Sequence, residues 1–252
     1  MTKILAITGG VGGAKLALGL SKILNPNELL FLVNTGDDFQ HLGLEISPDL
    51  DSLLYALSEK NNPELGRAVN KHLDSLGINT PITELVKADR DEKIQKITSL
   101  TKDMLEVLGL DLTDDSLEET PLRVAKMYVD EIFSGLRYDT FPKCTTVENK
   151  FSINDEFVLE KNITMYSDCE HHLRPIIGHA HIAYIPGKKV LGLSKLNRVT
   201  QYFAQRPQVQ ERLTQQIAHA IAFITESQDV MVVVDAGHTC VSQRGIKDTQ
   251  ST

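Results

Sequence analysis

The chain has no tryptophan and only three cysteines, and aromatic residues make up 6% of it. So few cysteines, and an odd number of them, exclude a disulfide framework as the source of its stability. No apolar run approaches the roughly twenty residues that a membrane-spanning helix needs. The N-terminus is a short apolar stretch without a cleavage pattern behind a long apolar core, so it does not read as a signal peptide. Positive charge is also scarce: 26 Lys and Arg against 34 Asp and Glu give a formal net charge of −8. That balance argues against a general nucleic-acid binder. The expectation is a cytoplasmic protein with reduced thiols. At 252 residues, 41% of them hydrophobic and 24% charged, the chain can form one large soluble domain or two smaller ones.

Two of the three cysteines sit in histidine-containing motifs, Cys169-Glu170-His171-His172 and His238-Thr239-Cys240. Thiolate and imidazole are the ligands zinc prefers. Cys169 and His172 are three residues apart, so one tight turn can aim both at one ion. His238 and Cys240 are two apart and would share a face on a strand. Three ligands, Cys169, His172 and Cys240, leave one tetrahedral position open for water, which distinguishes a catalytic zinc from a structural one. His171 and His238 then stand as spare imidazoles, titrating near neutrality and suited to moving protons. A structural site with His238 as fourth ligand is the alternative, and so is a chain with no metal. Cys144 reads as a buried or half-buried bystander.

The first segment, residues 3–57, reads β-α-β: apolar runs at 4–8 and 29–33, with a helix at 16–24 between them. The turn Gly9-Gly10-Val11-Gly12-Gly13-Ala14-Lys15 could present backbone N–H groups to phosphate. It departs from a P-loop at Ala14 and Leu16, so a tight strand-to-helix turn is an equal reading. Composition turns polar at Ser58-Glu59-Lys60-Asn61-Asn62-Pro63, which marks a junction. Helices are expected at 64–76 and 89–108, the second with Ile94, Ile97, Met104, Leu105 and Leu108 on one face. A third opens with Thr120 as N-cap and Pro121 at its first position, with Val124, Tyr128 and Ile132 as its stripe. Strands follow, with Phe157, Leu159, Ile163 and Met165 at two-residue spacing broken by Lys161, then 176–185 and 189–193. Ser194 could cap the next helix, Pro207 opens another, and 230–234 is a β-branched strand leading into His238.

Lys195 and Arg198 share a helix face, Arg244 lies four residues past Cys240, and Arg123 and Lys126 are three apart on the Thr120 helix. These five cations could bracket a polyphosphate, or form an ordinary solvated face. Gln210 beside Glu211 offers an amide and a carboxylate of the kind that reads the guanine edge, or else a plain exposed helix start.

The first segment resembles the N-terminus of the 2-phospho-L-lactate transferase family. The matching residues are the glycine turn, Asn34-Thr35-Gly36-Asp37-Asp38, His41-Leu42-Gly43-Leu44 and Ser47-Pro48-Asp49-Leu50-Asp51, and the likeness stops near Ser58. From about Glu64 to Lys247 the chain resembles GTP cyclohydrolase I. That likeness rests on Glu119-Thr120-Pro121-Leu122-Arg123-Val124-Ala125-Lys126, Cys169-Glu170-His171-His172, Gly192-Leu193-Ser194-Lys195-Leu196-Asn197-Arg198, residues 205–213, and His238-Thr239-Cys240 with Arg244-Gly245-Ile246.

The resemblance implies an α+β, T-fold-like architecture: an antiparallel sheet carrying two long helices, with N-terminal helices over 64–140 and the catalytic part over 145–252. The β-α-β segment, 1–58, would form a separate domain ahead of 59–252. It implies zinc on Cys169, His172 and Cys240, proton handling by His171 and His238, and guanine binding by Gln210 and Glu211. It also implies ribose or triphosphate contacts from Arg123, Lys126, Ser194, Lys195, Arg198 and Arg244. The implied reaction opens the purine imidazole ring of GTP at C8, releases formate and yields 7,8-dihydroneopterin triphosphate for folate synthesis. The implied assembly is a homo-oligomer, a decamer with active sites between subunits, and with no nucleic-acid or membrane partner.

Two departures qualify it. The transferase-like head is foreign to GTP cyclohydrolase I, as in a fusion or a gene-boundary artefact. The family usually continues for a final strand and helix beyond Ile246, so a weakened assembly is expected here. The competing functions are a nucleotide-binding phospholactate transferase-type fragment and a non-catalytic zinc-stabilised module.

Overall fold

The computed structural model describes residues 61–83, 89–149 and 156–249, preceded by Leu20 and the backbone of four short strands. The chain divides into two compact units, Met1–Lys60 and Asn61–Thr252. In the first, β1 (Ile4–Thr8) runs parallel to β2 (Leu29–Val33), and β3 (Phe39–His41) pairs antiparallel with β4 (Leu44–Ile46). Parallel neighbours need a crossover between them, as the β-α-β reading requires. The glycine turn at 9–15, the polar loop at 34–38, residues 47–58 and, Leu20 apart, the helix at 16–24 lie outside the described residues.

The second unit is α+β. Its sheet has the order β10-β7-β6-β9, formed by β6 (Val158–Cys169), β7 (Pro175–Tyr184), β9 (Pro207–Gln208) and β10 (Val230–His238). A separate antiparallel pair joins β5 (Thr146–Glu148) to β8 (Lys189–Leu191). Ile163, Met165 and Cys169 of β6, Ile176, Ala180, Ile182 and Tyr184 of β7 and Ala236 of β10 are buried. They pack in one core cluster with Leu196, Val199 and Phe203 of α4 (Leu193–Ala204) and Leu213, Ile217, Ile221 and Ile224 of α5 (Gln210–Thr225). Each such side chain contributes about 1.5–3 kcal/mol by leaving water. Gly178 is required in β7, because a Cβ there would sit 2.0 Å from the Asp235 carbonyl oxygen.

The alternation expected in β6 breaks at a bulge between Glu160 and Ile163, where Asn162 has φ 60°. Phe157 and Leu159 therefore face solvent, while Ile163 and Met165 face the core. One extra residue reverses which side of the strand is apolar.

The helices precede the sheet. Asn62 caps α1 (Pro63–Ser75), its side chain accepting from Leu65 N at 3.0 Å, and Gly77 ends it at φ +70°. Asp89 caps α2 (Arg90–Val107). Only part of the apolar stripe expected on α2 is covered: Ile94 is buried, but Met104 and Leu108 are 55% and 70% exposed. α3 (Thr120–Lys126) starts one residue earlier than expected, so Thr120 is its first helical residue and Glu119 its cap, with no side-chain cap bond. It continues as a π-helical turn, Met127–Ile132. The buried positions are Pro121, Ala125 and Val129, not the expected Val124, Tyr128 and Ile132. Ser194 likewise lies inside α4, capped by Gly192, and Pro207 belongs to β9, with α5 starting at Gln210.

Among the described residues the largest fully buried side chain is charged. Arg206 is 1% exposed. Its Nε donates to Gly135 O at 2.8 Å, one terminal nitrogen to Asn79 Oδ1 at 3.0 Å and the other to Asn70 Oδ1 at 2.9 Å. The guanidinium stacks 4.7 Å from the ring centres of both Tyr202 and Phe203. Its polar neighbours are thus neutral, and its charge is met by carbonyl dipoles and ring faces. Among the described residues no helix is long and apolar enough to cross a membrane.

Arg206→Ala strands two acceptors in the core, Gly135 O and Asn70 Oδ1, and a loss of about 3–5 kcal/mol is expected in urea denaturation. Arg206→Lys recovers little of it, because an ammonium cannot reproduce the planar fork.

Candidate metal centre

Antiparallel register assembles the centre. β6 ends at Cys169, one residue after Asp168 pairs with Pro175, the first residue of β7. On the other flank of β7, β10 ends with His238 opposite Ile176. The two motifs therefore leave the sheet side by side.

After Cys169 the chain makes a tight turn. His172 N and Leu173 N both donate to Cys169 O, at 3.3 and 2.8 Å, and Leu173 takes φ 48°. This is the expected turn that aims Cys169 and His172 together. The second motif differs from expectation. The strand stops at His238, and Cys240 sits on the short helix α6 (Thr239–Ser242). Thr239 Oγ1 donates to Pro175 O at 2.6 Å and pins α6 to the start of β7. The Cys169, His172 and Cys240 donor atoms all lie within 4.8 Å of one another. His238 is not in that trio; its Nε2 is 2.7 Å from Gln210 Oε1.

The trio has a charged surround. Arg244 donates to His172 Nε2 at 2.8 Å, and His171 Nδ1 lies 3.7 Å from Cys169 Sγ. The Cys240 thiol is pushed up, by burial first and then by the Cys169 thiol beside it, against the pull of Arg244. A metal ion would reverse that preference, since it binds the thiolate and releases the proton. Glu170 is fixed from two sides: its N–H donates to Gln208 O at 2.9 Å, and its carboxylate takes two bonds from Arg212, at 2.5 and 3.3 Å.

The remaining candidates fall in separate places. Gln210 Nε2 donates to Val234 O at 3.1 Å, which joins the start of α5 to β10, and Glu211 follows it, exposed. Lys195 is buried, and it and Arg198 both act on the Cys144 thiol, which burial pushes up to about 12. Cys144 is half-buried against the core, as expected. Ser194 precedes Lys195 on α4. Arg123 and Lys126 lie on α3: Arg123 pairs with Glu119 at 2.7 Å and Lys126 acts on Asp130. The sequence reading missed the Glu170–Arg212 pair and gave no place to Arg206 and Gln208, both of which are buried. The dense polar stretch at 205–212 was the available signal, but nothing in it distinguishes a buried arginine from a solvated one.

Fold and donors together define a class: an α+β protein whose sheet ends carry a two-thiol, one-imidazole trio suited to a metal ion. The family model of GTP cyclohydrolase I matches residues 97–252. A GTP cyclohydrolase 1 of Photobacterium profundum is 55% identical over 183 residues, spanning 73% of this chain and 83% of that protein. One from Vibrio cholerae is 54% identical over 188 residues, 75% of this chain and 86% of that protein. One from Actinobacillus pleuropneumoniae is 56% identical over 183 residues, 73% and 83%. The chain belongs to the GTP cyclohydrolase I family of enzymes. The family model of 2-phospho-L-lactate transferase CofD matches residues 4–123. That likeness extends well past residue 58, where the motifs of the first segment end.

Co2+ titration of the metal-free chain should saturate at one equivalent and give a thiolate-to-metal charge-transfer band. Cys169→Ser or Cys240→Ser should weaken the band and the affinity; an unchanged band would place the metal elsewhere.

Proposed function

We propose that this chain hydrolyses the imidazole ring of GTP at C8, releasing formate and forming 7,8-dihydroneopterin triphosphate, with Zn2+ on Cys169, His172 and Cys240. The observation that carries this reading is the convergence of those three donors in a chain of the GTP cyclohydrolase I family. The donor set fits zinc. Bond lengths of about 2.3 Å to sulfur and 2.0–2.1 Å to nitrogen put tetrahedral ligand atoms about 3.3–3.8 Å apart. A trio already within 4.8 Å needs only a small contraction. When bound there, zinc supplies the Lewis acidity that activates water near neutral pH.

The protein's own groups do the rest. Gln210 gives its amide N–H to Val234 O, so its oxygen faces His238. An oxygen only accepts, so His238 must carry its proton on Nε2. That leaves the lone pair of the neutral ring on Nδ1, where it takes and returns a proton at the purine nitrogen. His171, exposed beside Cys169, is the second proton carrier. The Glu211 carboxylate, with Gln210, holds the guanine N1–H and amino group. Ser194, Lys195, Arg198 and Arg244 hold ribose and triphosphate. Fixing both ends of the nucleotide turns binding energy into orientation at C8.

Arg123 and Lys126 serve a neighbouring subunit's nucleotide in a homo-oligomer. The uncovered side chains of Leu100, Met104, Val107 and Leu108, 55–88% exposed on and just past α2, support such an assembly. The product suits folate synthesis, and the setting is cytoplasmic.

An assay of formate released from GTP tests the reading. Release should stop on chelation and return with Zn2+, and Cys240→Ala should lower it at least about 100-fold while removing the bound metal. A chelated chain that still releases formate would overturn it. Gln210→Leu should reduce kcat about 10-fold or more at full zinc occupancy. Nitrogen-15 NMR should then show His238 as a mixture of tautomers.

A further inference from the structure

The second unit holds a cavity of about 280 Å3, and none of its lining residues belongs to the elements that carry the donor trio. It lies between α2 and the π-helical turn after α3. π-Helical turns are rare and frequent at functional sites. The floor is Ile97 and Val129, packed with Ile94 and Ala125. On one side the Tyr128 and Phe133 rings stack, with centres 5.4 Å apart and planes at 17°. Such a wall accepts a flat or branched apolar group.

The opposite requirement comes from Lys93 and Arg137, which both line the cavity. Arg137 Nε is buried without a hydrogen-bond partner. Its ion-pair neighbour Asp139 stands 3.8 Å away with a side chain 67% exposed. The other nearby carboxylate, Asp130, is engaged by Arg90 through bonds of 2.7 and 2.5 Å. The Lys93 ammonium is pushed down, by burial first and then by Arg137, with Asp139 opposing. Two like charges thus converge on an apolar wall, with one guanidinium donor still to be satisfied. A planar carboxylate matches that fork and relieves the repulsion. The volume is at the small end for ligand pockets and excludes long acyl chains.

We propose that this cavity binds a small monocarboxylate with an aromatic or branched apolar body. The carboxylate lies on Arg137 and Lys93, and the body lies against Tyr128, Phe133 and Ile97. The site is independent of the nucleotide reading.

Saturation-transfer NMR and calorimetry on the full chain test it, with phenylacetate and isovalerate as probes and phenylacetamide as the neutral isostere. Phenylacetate should bind saturably, at least about tenfold tighter than the amide. Saturating GTP should leave that binding unchanged, which separates it from the basic groups on α4 and after α6. Arg137→Gln should weaken it about tenfold or more, and Ile97→Phe should abolish it by filling the cavity, with circular dichroism confirming that both fold. If either variant fails to fold, the acid–amide comparison on the unaltered chain decides. Equal binding of acid and amide, displacement by GTP, or no saturation by about 10 mM would overturn the proposal.

Discussion

A single buried guanidinium organises the second unit. Arg206 reaches Asn70 on α1, Asn79 in the loop after it and Gly135 beyond the π-helical turn, while it stacks on Tyr202 and Phe203 of α4. Five donors in a fixed plane can satisfy that many directions at once; no other side chain can. The charge is tolerated in the core because each guanidinium nitrogen has an acceptor and the group lies against two adjacent aromatic rings. The segment that follows inherits this fixity. Pro207 and Gln208 are laid parallel to the end of β6, where Cys169 pairs with Gln208. Gln208 itself is held by Phe203 O and Gln216, each at 2.8 Å. The strand end that presents the first thiol is thereby held from the side as well as along the sheet.

The candidate metal centre is built where three strand ends coincide. Antiparallel pairing on both flanks of β7 puts the close of β6 and the close of β10 at the same edge of the sheet. Two motifs distant in sequence thus need no long loops to meet. Short, pinned turns follow each: Thr239 holds α6 to Pro175, and the Arg212–Glu170 pair holds the Cys169 turn to α5. The same α5 carries Gln210 to His238. One helix therefore positions both the Cys169 turn and the imidazole that stands outside the donor trio. Rigid elements thus preorganise the trio.

Much of this was legible from residues. The convergence of the three donors was readable because thiol and imidazole so rarely cluster without a chemical reason, and the turn after Cys169 follows from its spacing. The first two helices were also legible, α1 and α2 falling within a residue of the expected 64–76 and 89–108 at each end. The misses lie in which face is buried. The stripe of α3 is offset by one position from its first turn, at Pro121 and Ala125, and the bulge at 160–163 reversed the expected faces of β6. Periodicity assumes an unbroken repeat, and one inserted residue shifts everything beyond it. Cys240 left the strand for α6 because the pairing that would extend β10 ends with Ile176.

The sequence by itself determined the donor chemistry, the helical and strand content and the family, because these depend on residue type and local spacing. Tertiary structure decided which polar groups are interior. Arg206 and Gln208 look as solvated as Arg212 in the one-dimensional chain; only the packing of α1, α4 and β9 around them removes the water. Tertiary structure likewise fixed which imidazole stands with the two thiols and which is held by Gln210. That choice is a matter of distance between elements, and distance is set by register across β7 and not by any residue's own preference.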